Sequence, residues 1–161
     1  MKTNVIETAL PLVYRRKNEF EVLNGLDLSR KDELWGIQLT SGVMVALKCG
    51  EGNNVSETRW NKVKQFAEKM RLNGKSGSLP SRFAFERHWD TEEQTRFTAT
   101  VEVLKENNIE ADGYIGMIWC HETYYDDYPN GAYYFCLSNG DSDWDYKCNI
   151  FGHDRVAIAF N

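Results

Sequence analysis

The segment Ile118-Trp-Cys-His-Glu-Thr-Tyr-Tyr-Asp-Asp-Tyr-Pro-Asn-Gly-Ala-Tyr-Tyr-Phe-Cys-Leu-Ser-Asn-Gly140 decides the fold class. Aromatic and β-branched residues crowd it, and these suit a pleated, half-buried surface. From Tyr114 onward the apolar period is two, the period of a strand. The spacing predicts strands over residues 115–121, 132–138 and 155–160. Asn130-Gly131 and Asn139-Gly140 are turn dipeptides, expected to flank the middle strand.

Upstream the period lengthens. Trp60, Val63, Phe66, Ala67 and Met70 fall at helical spacing, with Ser56 as the expected N-cap and Asn73-Gly74 as the stop. Leu79-Pro80-Ser81 precedes a short helix over 82–88 that Ser81 caps. Asp90 and Glu93 stand at capping-box spacing, and Phe97, Val101 and Leu104 give a third helix its apolar stripe. Asn107-Asn108 and Asp112-Gly113 end this helical region. Earlier still, Trp35-Gly-Ile-Gln-Leu-Thr-Ser-Gly-Val-Met-Val-Ala-Leu-Lys48 predicts two strands around Thr40-Ser-Gly42, with Val43, Val45 and Leu47 facing the core. Residues 50–54 read as a loop. Residues 1–34 alternate short apolar and charged pieces, either an N-terminal extension or the first strands. Hairpin, helices and then an antiparallel sheet make an α+β chain.

A length of 161 residues suits one domain, taken as 1–161. The net charge of −5 argues against non-specific nucleic-acid binding, which needs a basic face to release counterions. The N-terminus lacks the apolar core of a signal peptide, and the longest apolar run, Val43 to Leu47, is too short to span a bilayer. The expected location is the cytoplasm, or a virion if the gene is phage-borne. Cys49, Cys120, Cys136 and Cys148 show no C-x-x-C spacing and are expected as reduced, buried thiols. A Cys120–Cys136 bridge across neighbouring strands is the alternative for an exported chain.

The order of four motifs resembles a family. Gly77-Ser-Leu-Pro-Ser81, Ile118-Trp-Cys-His-Glu-Thr123, Ala132-Tyr-Tyr-Phe-Cys-Leu-Ser-Asn-Gly140 and Arg155-Val-Ala-Ile-Ala-Phe160 are similar to the ordered motifs of bacterial Lcl C-terminal-type domains, over about residues 35–160. The early strand Val43-Met-Val-Ala-Leu-Lys48 resembles Bacteroidetes-type members. The resemblance implies a C-type-lectin-like fold, with the hairpin and two or three helices packed on a curled antiparallel sheet. Formylglycine-generating enzymes and the variable proteins of diversity-generating retroelements share that scaffold, and its last strands and loops often form a binding face. The chain departs from the family at three places. Gly77-Ser78 replaces Trp-Arg, Ala84 replaces the glutamate that completes a capping box, and Ile158 replaces a second arginine. With half the box missing, one backbone N–H at the start of the 82–88 helix needs another partner.

Three constellations are candidates for chemistry. Cys120-His121 pairs a thiol with an imidazole, but neighbours on a strand point to opposite faces, so a core cysteine beside an exposed histidine is the simpler reading. Asp141-Ser-Asp-Trp-Asp145 spaces carboxylates like the opening of a calcium loop. An EF-hand, however, needs Gly at its sixth position and Glu at its twelfth, where this chain has Tyr146 and Gly152. A solvated strand face or hairpin is expected there, with no metal and no cofactor. Tyr124-Tyr-Asp-Asp-Tyr-Pro-Asn130 puts stiff amphipathic rings and acids in one expected loop. Tyr124, Tyr125, Asp126, Asp127 and Tyr128, with Asp141, Asp143, Trp144 and Asp145, are therefore the candidate binding residues. The expected function is a non-catalytic module binding a glycan, peptide or protein. The alternatives are a thiol oxidase or hydrolase using Cys120 or Cys136, and a structural protein of a phage or mobile element.

Overall fold

The computed structural model describes residues 5–55, 57–125, 128–151 and 153–160, with Tyr125 and Tyr128 described by their backbone only. The expected cap Ser56 lies outside the described residues. The fold is α+β, with a curled mixed sheet and a second, smaller sheet.

β1 (Val5–Arg16) and β2 (Glu19–Asp27) form a long antiparallel hairpin, so the first strands, rather than an extension, occupy residues 5–27. β3 (Leu34–Gln38) pairs with β1, and β4 (Met44–Ala46) closes the expected hairpin with β3. β5 (Arg71–Leu72) lies parallel to β2 and turns into β6 (Lys75–Ser76). β10 (Ala157–Ile158) joins the far side of β4. The order is β10-β4-β3-β1-β2-β5-β6, and the parallel β2–β5 pair makes the sheet mixed. Its ends are tied: Ser78 N–H donates to Ala159 O at 2.9 Å, and Ala159 N–H returns a bond to Ser78 O at 2.8 Å.

Both faces of this sheet are buried. Leu12, Tyr14, Ile37, Val43, Val45 and Leu47 pack on one side with Phe97, Val101 and Leu104 of α3 (Thr91–Glu106). Val13, Trp35, Met44 and Ala46 pack on the other with Trp60, Val63 and Ala67 of α1 (Trp60–Lys69). Val43, Val45 and Leu47 thus face the core as expected, and Met44 and Ala46 are buried as well.

The helix starts repay comparison with the sequence. Arg59 stands extended before α1 and gives no side-chain cap. Asn73-Gly74 does not stop α1, which ends at Lys69. It turns β5 into β6 with φ of 52° and 81°, the two positive angles of a tight hairpin turn. Residues 50–54 hold a 3-10 turn, Gly50–Asn53. α2 (Arg82–Glu86) is capped by Ser81 Oγ, which accepts the Phe83 N–H at 3.2 Å. A capping-box carboxylate at position 84 would take the Ser81 N–H; instead a distant carboxylate serves the next amide, Glu122 accepting the Arg82 N–H at 2.9 and 3.1 Å. At α3, Asp90 Oδ1 accepts the Glu93 N–H at 2.8 Å, half of the expected box. The Glu93 carboxylate is buried and reaches instead to the β3–β4 turn, taking the Thr40 N–H and hydroxyl at 2.9 Å each.

The second sheet is β7 (Met117–Tyr125), β8 (Tyr128–Cys136) and β9 (Asp141–Tyr146), all antiparallel. Asn139-Gly140 makes its turn, with Gly140 at φ 75°. Asn130-Gly131 does not turn. It lies inside β8, where Gly131 faces Tyr146. The expected last strand also leaves this sheet for the large one, held there by Arg155, which is buried under five backbone carbonyls.

Asp154 beside it is buried too. Its carboxylate accepts from Thr58 Oγ1 at 2.6 Å and from the Phe151 N–H at 3.0 Å, and burial pushes its pKa above the ordinary carboxyl range. A carboxyl shifted this way favours the fold while protonated, and the contribution fades as pH rises through the folded pKa. Asparagine can accept from Phe151 and donate to Thr58 without a charge to bury. Asp154→Asn should therefore melt above the parent near about pH 7, with the gap closing toward about pH 3. Thermal melts across that range check it, and curves that stay parallel would count against it.

Candidate functional site

Strand alternation sorts the candidate residues. Ile118 lies across from Phe135, and Tyr133 from Trp144, on the face that packs against α2. Trp119 lies across from Tyr134, and Ala132 from Asp145, on the face toward α1. The expected union of rings and carboxylates therefore divides: Trp144 stands on the α2 face, while Asp141, Asp143 and Asp145 stand on the other.

The expected 124–130 loop is mostly strand. Tyr124 and Tyr125 end β7, Tyr128 begins β8, and Tyr125 pairs with Tyr128 across the tip. Asp126 and Asp127 lie outside the described residues. Tyr124 stacks on Trp144 with centroids 4.2 Å apart and planes at 12°, and it meets Tyr133 edge-on at 5.7 Å. The Trp144 ring and the Tyr124 stem crowd Gly131: a β-carbon there would lie 3.1 Å from the Trp144 ring and 3.2 Å from Tyr124 Cβ. The glycine inside β8 leaves room for the ring pair. Tyr146 meets Trp144 edge-on at 5.5 Å and is 43% exposed.

α2 extends this ring cluster. The Arg82 guanidinium sits 3.8 Å above the Tyr133 ring and 4.9 Å from Phe83, while Arg87 lies 5.7 Å from Phe83. Phe83 is 43% exposed. Ser142 Oγ donates to Glu86 at 2.5 Å and fastens the helix to β9. Arg82, Phe83 and Arg87 escaped the sequence reading, although a signal existed. Phe83 and Phe85 sit two apart on a short helix, so only one can face the core, and Phe85 does.

The acids of β9 have work within their own strand. Lys147 N–H donates to Asn130 O at 2.7 Å, and strand alternation then turns the N–H groups of Trp144 and Tyr146 away from β8. Asp143 Oδ1 accepts the Trp144 N–H at 2.8 Å, and Asp145 Oδ1 accepts that of Tyr146 at 2.7 Å. The alternating carboxylates thus occupy the outward amides of an edge strand and add charge to it, which discourages pairing with another chain. Asp143 and Asp145 also help burial to raise the pKa of Tyr134. Among the described residues, no group of three or more His, Cys, Asp or Glu could hold a metal ion.

Compared with protein-family models, curated proteins and solved structures, the chain matches nothing.

Three of the four sequence motifs serve the framework here. Ser78 ties the ends of the curled sheet, Leu79 is buried, Ser81 and Glu122 cap α2, and Arg155 clamps the last strand. Cys120 is fully buried and its thiol pKa is pushed up, chiefly by that burial, while His121 beside it is exposed. Cys49 is likewise pushed up to about 11 by burial. Cys136 lies opposite Met117, not Cys120, and all four cysteines are free thiols, but of the four expected to be buried Cys120 alone is: Cys49 and Cys136 are half-buried and Cys148 is exposed. No helix among the described residues is long and apolar enough to cross a membrane.

Proposed function

We propose that this chain is a non-catalytic binding module of the Lcl C-terminal kind, with a C-type-lectin-like architecture, and that it recognises a glycan, peptide or protein through the α2 face of its small sheet. One observation carries the reading. Arg87, Phe83, Arg82, Tyr133, Tyr124, Trp144 and Tyr146 form an unbroken path of ring and guanidinium contacts, and the rings near its two ends are 43% exposed. Tyrosine, tryptophan and arginine dominate binding hot spots, because each offers broad contact area at small entropic cost together with a polar handle. A ring that leans on its neighbour is already ordered, so less freedom is lost when a ligand arrives.

The test pairs two exposed residues at opposite ends of the path. Phe83→Ala/Tyr146→Ala should lose roughly thirty-fold or more in affinity for the glycan or peptide that an array identifies. The melting temperature should fall by only a few degrees, since both side chains are half in water. An unchanged affinity, or an array on which the native chain binds nothing, would reject the reading.

A further inference from the structure

A second concavity lies far from the ring face in chemical character. It is a groove of about 370 Å³ between α1 and the turn that joins β1 to β2. Lys62, Gln65, Phe66 and Lys69 line it from one face of α1, at the i, i+3, i+4, i+7 spacing of a single helical stripe. Arg15 and Asn18 line it from the hairpin, and Asn54 from the segment before α1. Glu57 is the one acid in the lining, and it is engaged with Arg59 at 2.5 Å.

In a chain of net charge −5, three cations converge on this groove. Lys62 and Lys69 make no ion pair among the described residues, whereas Arg16, Arg30, Lys48, Arg59, Lys64 and Arg96 all do. Arg15 is posed for a ligand. Its Nε donates to Lys17 O at 2.7 Å and its guanidinium lies over the Phe66 ring, 5.0 Å from the centroid. Phe66 in turn is stacked at 6.4 Å on the buried Trp35. The guanidinium is therefore held in place, while its two Nη groups make no hydrogen bond among the described residues. That fork matches the geometry of a phosphate or carboxylate. The three amide side chains add donors, and the volume suits a small molecule.

We infer that the Arg15–Lys62–Lys69 groove is a binding site for a small polyphosphate-type anion, bound by the Arg15 fork and bracketed by the two lysines on α1. This site is separate from the ring face, so either can fail without the other.

Inorganic triphosphate, titrated into the full chain at low ionic strength, is the probe. Amide chemical shifts should move at Arg15, Asn18, Asn54, Gln65 and their neighbours. Inorganic phosphate at the same ionic strength should bind at least about tenfold more weakly, because it carries less charge and a single phosphate group cannot span all three cations. Lys62→Glu/Lys69→Glu should weaken triphosphate binding at least about tenfold. Lys31→Glu/Lys75→Glu alters net charge equally outside the groove and should leave binding within about twofold. Equal losses in both double variants would mean a general charge effect and overturn the site. So would retained binding in Lys62→Glu/Lys69→Glu, equal affinity for phosphate and triphosphate, or no binding at all.

Discussion

Arg155→Met is expected to cost about 4 kcal/mol or more of folding stability, and to lower the melting temperature by roughly 10 °C. Arg155 is 2% exposed and spends all five N–H donors on backbone. Nε donates to Ala46 O at 2.8 Å. Nη2 donates to Leu47 O at 3.2 Å and to Asp112 O at 3.0 Å. Nη1 donates to Ile115 O at 3.0 Å and also to Gly113 O. One side chain thus joins β4, the 112–115 connection and the last strand. Burying the cation is costly, and burial lowers its pKa to about 10. At neutral pH it stays charged folded or unfolded, so that cost is constant there and already included in the native stability. Methionine restores the bulk of the stem but strands the carbonyls, and each one left dry costs about 1–3 kcal/mol. Lysine, with three donors on a point charge, should recover less than half of the loss. Gly116 keeps the space open: a β-carbon there would meet Arg155 Cβ at 2.8 Å, and its φ of 118° suits glycine. Chemical denaturation of the variants reads the effect. A loss under about 1 kcal/mol for Arg155→Met would show that the clamp is redundant.

The carbonyl clamp explains much of what the sequence could and could not show. Local signals were legible. The β3–β4 hairpin, the Ser81 cap, the α3 stripe and the Asn139-Gly140 turn each depend on residues within one element or one turn. β1 was not, because Leu12, Val13 and Tyr14 are buried in succession, and a strand covered on both faces loses its period of two. Two of the other Asn-Gly dipeptides, Asn73-Gly74 and Asn130-Gly131, misled for different reasons. Asn73-Gly74 is a true hairpin turn whose strands are too short to show alternation, and Gly131 is glycine because the Trp144 ring and the Tyr124 stem lie over it. The departure of the last strand to the large sheet is carried by one arginine with partners about forty and more than a hundred residues away, which no local pattern encodes. For the site, the ring types were legible in β7–β9. Their separation from the aspartates followed from alternation once Trp144 was seen to lie in a strand. Arg82 and Phe83 needed the docking of α2.

That docking rests on Phe85, and Phe85→Ala is expected to cost about 3–5 kcal/mol. Phe85 has no exposed surface and stacks on Phe135 with centroids 4.8 Å apart and planes 9° from parallel. A five-residue helix has almost no stability of its own. It is held by this ring pair, by the caps from Ser81 and Glu122, and by the Ser142–Glu86 bond. Truncation to alanine leaves a cavity in the α3-side core and removes the contact that seats α2 on β8. Arg82 and Phe83 ride on the same helix, so the ring path should break between Phe83 and Tyr133 before the large sheet unfolds. Phe85→Leu keeps most of the volume but not the stacking, and should cost clearly less. Denaturation midpoints give the stability, and near-ultraviolet circular dichroism reports the order of the tyrosines and tryptophans. If Phe85→Ala left both stability and the aromatic signal near native, α2 would be held by its polar ties alone. The binding face would then not depend on the core beneath it. A matched loss in Phe85→Ala, partly restored in Phe85→Leu, would show that packing under the helix sets the geometry of the surface above it.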